Sequence, residues 1–406
     1  MNKRDISIDR FRGFAVITMI IIQIWRDFNG LEILSKLGSH RASDGITIIE
    51  GMRFADVFAP MFLFAVALTY KRSFDRRCAT DGQTTAIKHF VIRYISLIGV
   101  GGLLRGAESL IYYFGHGYVE HRIDYLFFLG IFILIVMVAL KAITSRILPN
   151  RTKIVFSQIL FASLCFLATL CIISSARDFF YQLVVQSDSI FKPWGYWEAL
   201  QAIGAAGIIT LLFIRYETLK RFIIATVFLL IYAIFHETGN HAELISIYAQ
   251  QGGFFGIIGQ SCIVLYGTVL ADLYNRDTEK LTRYLLALPV FGVVGLIAVQ
   301  YIPPTMRSVS PSYILINIFI SGTVFLVFCL YRFVNIRFDI LALFGKNPLA
   351  MYILQYVLIY GVKELIGYDT IRNASDLYAM TFTVIMMFIL TFIAFLLDRK
   401  EIVLKF

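Results

Sequence analysis

The residues near the start of the chain that could do chemistry are a histidine, a carboxylate and an amide. His40 lies in the polar run "LGSHRASDG" and titrates near neutral pH. It is a candidate base for an amine or hydroxyl proton, and equally a solvated loop residue. Asp56, in "MRFADVFAPMFLF", can orient such an imidazole or cap the helix that begins beside it. Gln23 falls eleven residues after Arg12 in "SIDRFRGFAVITMIIIQIW", about 16 Å further along a helix. An amide that deep in an apolar run needs a partner. It reads either as glue between helices or as the lining of a substrate cavity.

Cations precede and follow these groups. Arg10, Arg12, Lys71, Arg72, Arg76 and Arg77 fall at the ends of the first two apolar runs. They read as anchors at headgroup level or as a phosphate-attracting mouth, a task that suits the planar fork of arginine. Arg105 and Glu108 are three apart on the third run and can pair. Glu50, Arg53 and His121 join them at the other end of the spans, the side where polar side chains collect. Trp194 and Trp197, in "PWGYWEALQ", read as an interfacial aromatic belt or as a platform for a sugar. "HETGNH" (236–241) lacks the spacing of the HExxH zinc signature, and no CxxC pair occurs among the five cysteines, so no metal is expected.

These residues have to be held by membrane helices. The 406 residues are 58% hydrophobic and only 16% charged, with a mean hydropathy of +0.75, and the apolar runs are too long for buried core helices. Strand-like alternation is missing, which argues against a β-barrel. The expectation is an all-α, polytopic helix bundle of about 10–12 spans in a single integral-membrane domain, 1–406. Twelve candidate spans lie at about 11–28, 54–70, 88–113, 123–141, 153–175, 199–214, 219–235, 253–273, 282–301, 312–331, 341–362 and 377–397. With the N-terminus inside, the inner segments hold more than twice as many Lys and Arg as the outer ones, so both termini are expected inside. That bias also accounts for the net charge of +10 without nucleic acid. The first run is read as a retained span, because no small-residue cleavage site follows it.

Several segments resemble, in order, the heparan-α-glucosaminide N-acetyltransferase family of transmembrane acyltransferases. "SIDRFRG" is similar to the family's "SLDVFRG" lead-in, and "ADVFAPMFLF" (55–64) follows its "AD-x-x-x-P-x-F-x-F" pattern. "WEALQAIGAAG" (197–207), "GGFFGIIGQSCIVLYGTVLADL" (252–273) and "GKNPLAMYILQ" (345–355) resemble its later helices, so the likeness runs from residue 5 to about 360. The resemblance implies an enzyme that takes acetyl from cytosolic acetyl-CoA and delivers it across the membrane to an amino or hydroxyl group of a sugar or glycan. The implied setting is a lipid bilayer, expected to be a bacterial inner membrane, with a homodimer as one arrangement.

By that resemblance the family's amide falls on Gln23, where Asn is usual. Its histidine, ten residues before the "AD" aspartate, falls on Ile46, with His40 six residues upstream. Carried over, His40, Gln23 and Asp56 become catalytic candidates. Arg10, Arg12, Lys71, Arg72 and Arg76 become candidates for the donor's phosphates. Glu50, Arg53, Arg105, Glu108, His121, Trp194 and Trp197 become candidates for the acceptor. A multi-pass transporter or flippase of a small polar or glycolipid substrate is the alternative, against which stands the absence of matched broken helices in two halves.

Overall fold

The computed structural model describes residues 5–26, 28, 51–116, 161, 164–167, 169, 199–238, 251–253, 255–274, 278–331 and 338–401. Among these are thirteen helices and no strand, and eight of the helices are long and apolar enough to cross a membrane. The first is α1 (Ile6–Trp25). A single 3-10 turn (Phe54–Val57) leads into α2 (Phe58–Asp81), followed by α3 (Gln83–His116), α4 (Ala199–Phe213), α5 (Thr218–Glu237) and α6 (Gly256–Leu273). Then come α7 (Thr278–Val299), α8 (Pro311–Tyr331), α9 (Ile340–Lys346), α10 (Pro348–Ile366), α11 (Tyr368–Arg372) and α12 (Asp376–Arg399). The expected spans at 123–141 and most of 153–175 lie outside the described residues.

Local signals set the ends of these helices. The Asp5 carboxylate accepts the Ser7 N–H at the start of α1, and Asp339 does the same for Ala342 at the start of α9. Pro60 stands in the first turn of α2, where a missing N–H leaves nothing unpaired. Gly82, at φ +82°, ends α2 in a conformation that an L side chain rarely adopts.

Two boundaries differ from the sequence reading. The run 341–362 is not one helix: it breaks at Asn347, and Pro348 opens α10 as its first residue. The stretch "KRSFDRR", expected as a loop, continues α2 out to Asp81, supported by the i,i+4 pairs Lys71–Asp75 and Arg77–Asp81.

The helices sort into an inner and an outer set. α2 and α6 are the most enclosed, at 72% and 78%, whereas α5, α7 and α12 bury less than a third of their apolar windows and present Leu, Ile, Val and Phe outward. That division fits a bundle whose outer helices face lipid. α6 packs on α2, α4, α5, α7 and α8; α1 lies against α2, α8, α9, α10 and α12.

In lipid there is no hydrophobic drive to bring helices together, so close approach depends on small residues. The α1–α9 crossing shows this. A Cβ on Gly13 would stand 1.8 Å from the carbonyl oxygen of Leu341, and one on Gly345 would stand 1.7 Å from that of Asp9. Each glycine therefore sits directly on the backbone of the opposite helix.

Candidate active site

A cavity of about 560 Å³ opens among the ends of α2, α3 and α9 and runs into the bundle. Arg12, Arg76, Arg77, Arg93, Lys346 and His89 line it together with apolar Phe62, Leu97, Leu200, Ile203 and Leu349. Arg76 and Phe62 are fourteen residues apart on one helix, so the cavity reaches about 21 Å along the axis of α2. Its lining has five permanent cations and one carboxylate, Asp81. Arg77 is paired with Asp81 at 3.3 Å, and Lys346 with Asp398 at 2.7 and 2.8 Å. Arg12 donates to the Thr69 hydroxyl and the Ala65 carbonyl, which fixes its guanidinium against the α2 wall. The Arg93 guanidinium lies 5.9 Å from the centre of the Tyr94 ring. The cavity is thus cationic at its mouth and apolar within.

Of the cations picked from the sequence, Arg12, Arg76 and Arg77 line this cavity, and Arg10, Lys71 and Arg72 do not. Arg10 is a correction. It is 1% exposed, pairs with Asp339, donates to the Tyr331 carbonyl at 2.7 Å, and has its guanidinium 4.8 Å from the Tyr331 ring centre. It locks α1 to the start of α9 and faces no opening. Lys71 is held by Asp75 at 2.9 Å, and Arg72 is exposed on α2; neither belongs to the cavity lining. Sequence reading passed over Arg93, His89 and Lys346 as cavity residues. Arg93 carried a legible signal, an ionisable residue inside an apolar run.

Further along the same walls lies an amide pair. Gln23 of α1 accepts a hydrogen bond from Gln355 Nε2 of α10 at 3.0 Å. Arg12 and Leu349, on the same two helices, line the cavity nearer its mouth. Gln355 is fully buried, and its Oε1 has no hydrogen-bond partner. Lys363 is also buried; its ammonium donates to the carbonyls of Gln23 and Ile24 at 2.9 and 3.2 Å, satisfying the C-terminal end of α1. Gln355 and Lys363 were also missed, although a lone amide and a lone amine in an apolar run are the signals to look for.

Asp56 is 2% exposed and is the third residue of the 3-10 turn. Its Oδ2 accepts the Arg53 N–H at 2.8 Å, and its carbonyl accepts the Tyr313 hydroxyl of α8 at 2.6 Å. Gln23 and Asp56 are thus held by different neighbours, α10 and α8. Asn317, four residues after Tyr313, is buried with its Oδ1 lacking a partner. Arg105 and Glu108 lie three apart on the last third of α3. His40, Glu50, His121, Trp194 and Trp197 lie outside the described residues. Among the described residues no three His, Cys, Asp or Glu side chains come together as a metal site.

Residues 4–183 match the family model described as "Heparan-alpha-glucosaminide N-acetyltransferase, catalytic". The matched segment supplies α1, α2 and α3 and with them Arg12, Gln23, Asp56, Arg76 and Arg93. No curated protein matches the chain. Over residues 4–183, a little under half of its length, the chain is thus similar to the catalytic region of an acetyltransferase family.

Proposed function

We propose that this protein transfers acetyl from acetyl-CoA, held at the basic end of the bundle, to an amino or hydroxyl group of a sugar at the opposite end. One observation carries the proposal: a single cavity about 21 Å long, cationic at its mouth and apolar within. An acyl-CoA has the matching distribution, with phosphates at one end and an uncharged arm bearing the thioester at the other. Arg12, Arg76 and Arg93 are the cations to which we assign the phosphates, through charge-assisted hydrogen bonds. Phe62, Leu97, Leu200 and Ile203 keep water from the inner part. A large anion stays at one face while only its arm enters the bundle.

Gln23 then has a defined task. Its Oε1 is taken by Gln355, so its Nε2 is the group it can offer to an oxygen that gains negative charge as the thioester carbonyl is attacked. The unpartnered Oε1 of Gln355 is an acceptor for an incoming N–H or O–H. His40 is assigned as the base that removes the acceptor's proton, Asp56 as its orienting carboxylate, and Arg53 as a second stabiliser of the oxyanion. The excess of Lys and Arg in the segments on the N-terminal side supports a cytosolic basic mouth by the positive-inside rule.

Radiolabelled acetyl-CoA given to the purified protein with a panel of amino and hydroxy sugars tests the reading. Label on protein or sugar supports it. Sugar uptake into proteoliposomes with no acetylation overturns it in favour of transport.

A further inference from the structure

A second set of reactive side chains lies apart from the basic cavity, where α5 ends beside the turn at 301–310. His236 Nε2 is 2.9 Å from the Ser308 hydroxyl, and His236 Nδ1 is 2.8 Å from Glu237 Oε1. Ser308 is fully buried and His236 nearly so, while the Glu237 side chain is half exposed. This is a hydroxyl on one imidazole nitrogen and a carboxylate on the other, the connectivity that turns serine into a nucleophile.

The backbone around Ser308 is built to hold that geometry. Val309 has φ +54°, a rare value for a β-branched residue. Such strain persists only where the surroundings over-determine it. Here the segment "GGFFGIIGQ" supplies the surroundings. A Cβ on Gly252 would stand 2.8 Å from Val309 Cγ2, and one on Gly259 would stand 3.2 Å from Val309 Cγ1. The Gly252 N–H also donates to the Arg307 carbonyl at 2.6 Å, and the Tyr232 hydroxyl donates to the Ser308 carbonyl. Ser308 is thus anchored on both sides and its hydroxyl is turned toward His236. Gln251, also at positive φ (+54°), adds a second strained non-glycine residue to the same neighbourhood.

We propose that Ser308 is an activated nucleophile for a small acyl ester or thioester, with His236 as its base and Glu237 as the group that positions His236. The Ser308 oxygen bonds the acyl carbon while its proton passes to His236 Nε2. The bond to the leaving thiolate or alkoxide breaks, and that group takes the proton from His236. Water, a hydroxyl or an amine then removes the acyl group by the reverse proton path. Ser308 is fully buried, so acylation requires the 301–310 turn to open locally before a small acyl group can reach it. This site shares no residue with the acetyl-CoA reading, which rests on the basic cavity and the Gln23–Gln355 pair.

The test is p-nitrophenyl acetate with the full-length protein in detergent. The expected result is a burst of nitrophenolate equal to the protein present, with one acetyl group mapped by mass spectrometry to Ser308. Ser308→Ala abolishes the burst, and His236→Gln slows it by ~100-fold or more. Because His236→Gln can disturb the α5 end, Glu237→Gln is the second variant. It touches a half-exposed side chain and slows acylation by ~10-fold or more while the melting temperature holds. Folded wild-type protein that gives no acetyl-Ser308 overturns the proposal, as does acylation whose rate is unchanged in both His236→Gln and Glu237→Gln. Neither outcome touches acetyl-CoA binding at Arg12 and Arg93.

Discussion

Adding one methyl group at Gly345 tests whether the α1–α9 contact positions the cavity. Its Cβ would stand 1.7 Å from the Asp9 carbonyl oxygen, against the 3.4 Å or more of an ordinary contact. The obstacle is backbone, so no rotamer change relieves it, and the helices must part by about 1.7 Å. Gly13→Ala meets the Leu341 carbonyl in the same way. Overpacking of this kind costs about 1–3 kcal/mol, so each alanine should lower the melting temperature in detergent by several degrees. The double variant should cost less than the sum, because separation forced by the first methyl makes room for the second. Arg12 is one residue from Gly13, so the displacement should also weaken acetyl-CoA binding. Thermal unfolding and equilibrium binding of the three variants give both readouts. Melting within about 1 °C of wild type for both single variants would refute the close approach.

Other perturbations separate structural from functional cations. Asp339→Ala removes the Asp339 carboxylate from the buried Arg10 and takes away the α9 cap, and is expected to destabilise by about 3 kcal/mol, read by denaturation, without a change specific to acetyl-CoA. Arg93→Ala removes a cavity cation and should raise the acetyl-CoA dissociation constant by ~10-fold or more, with a shallower salt dependence than wild type. His40→Ala should abolish acetyl transfer while leaving acetyl-CoA binding within about twofold, as measured by turnover and by equilibrium binding. Gln355→Leu removes the partner of Gln23 and should lower kcat more than it raises KM for the donor, since the amide pair lies beyond the cavity's cations.

Composition and loop charge were enough to read the helical membrane architecture, because both are set by the solvent around each segment and not by its partners. What they could not show is direction. Arg10 and Arg12 look alike in "RFRG", yet 200° of helical rotation separates them: one turns to Asp339 and the other to the cavity. The break at Asn347 was foreshadowed by Pro348, but a proline within an apolar run can also lie inside a continuous helix, as Pro289 does in α7. Glycines are legible as small residues and not as contacts; only the crossing pairs Gly13 with Leu341 and Gly345 with Asp9. Gln355 pairs with Gln23 across more than 300 residues, and His236 with Ser308 across 72, separations for which helical periodicity carries no information.

The central claim is that the basic cavity holds the acyl donor. Photocrosslinking with an acetyl-CoA analogue carrying its reactive group on the adenine, followed by peptide mapping, tests it most directly. Adducts on residues 73–93 or 346–349, competed away by unlabelled acetyl-CoA, are the predicted result. Competed adducts confined to the opposite end of the bundle, near Tyr360 or Arg53, would contradict it.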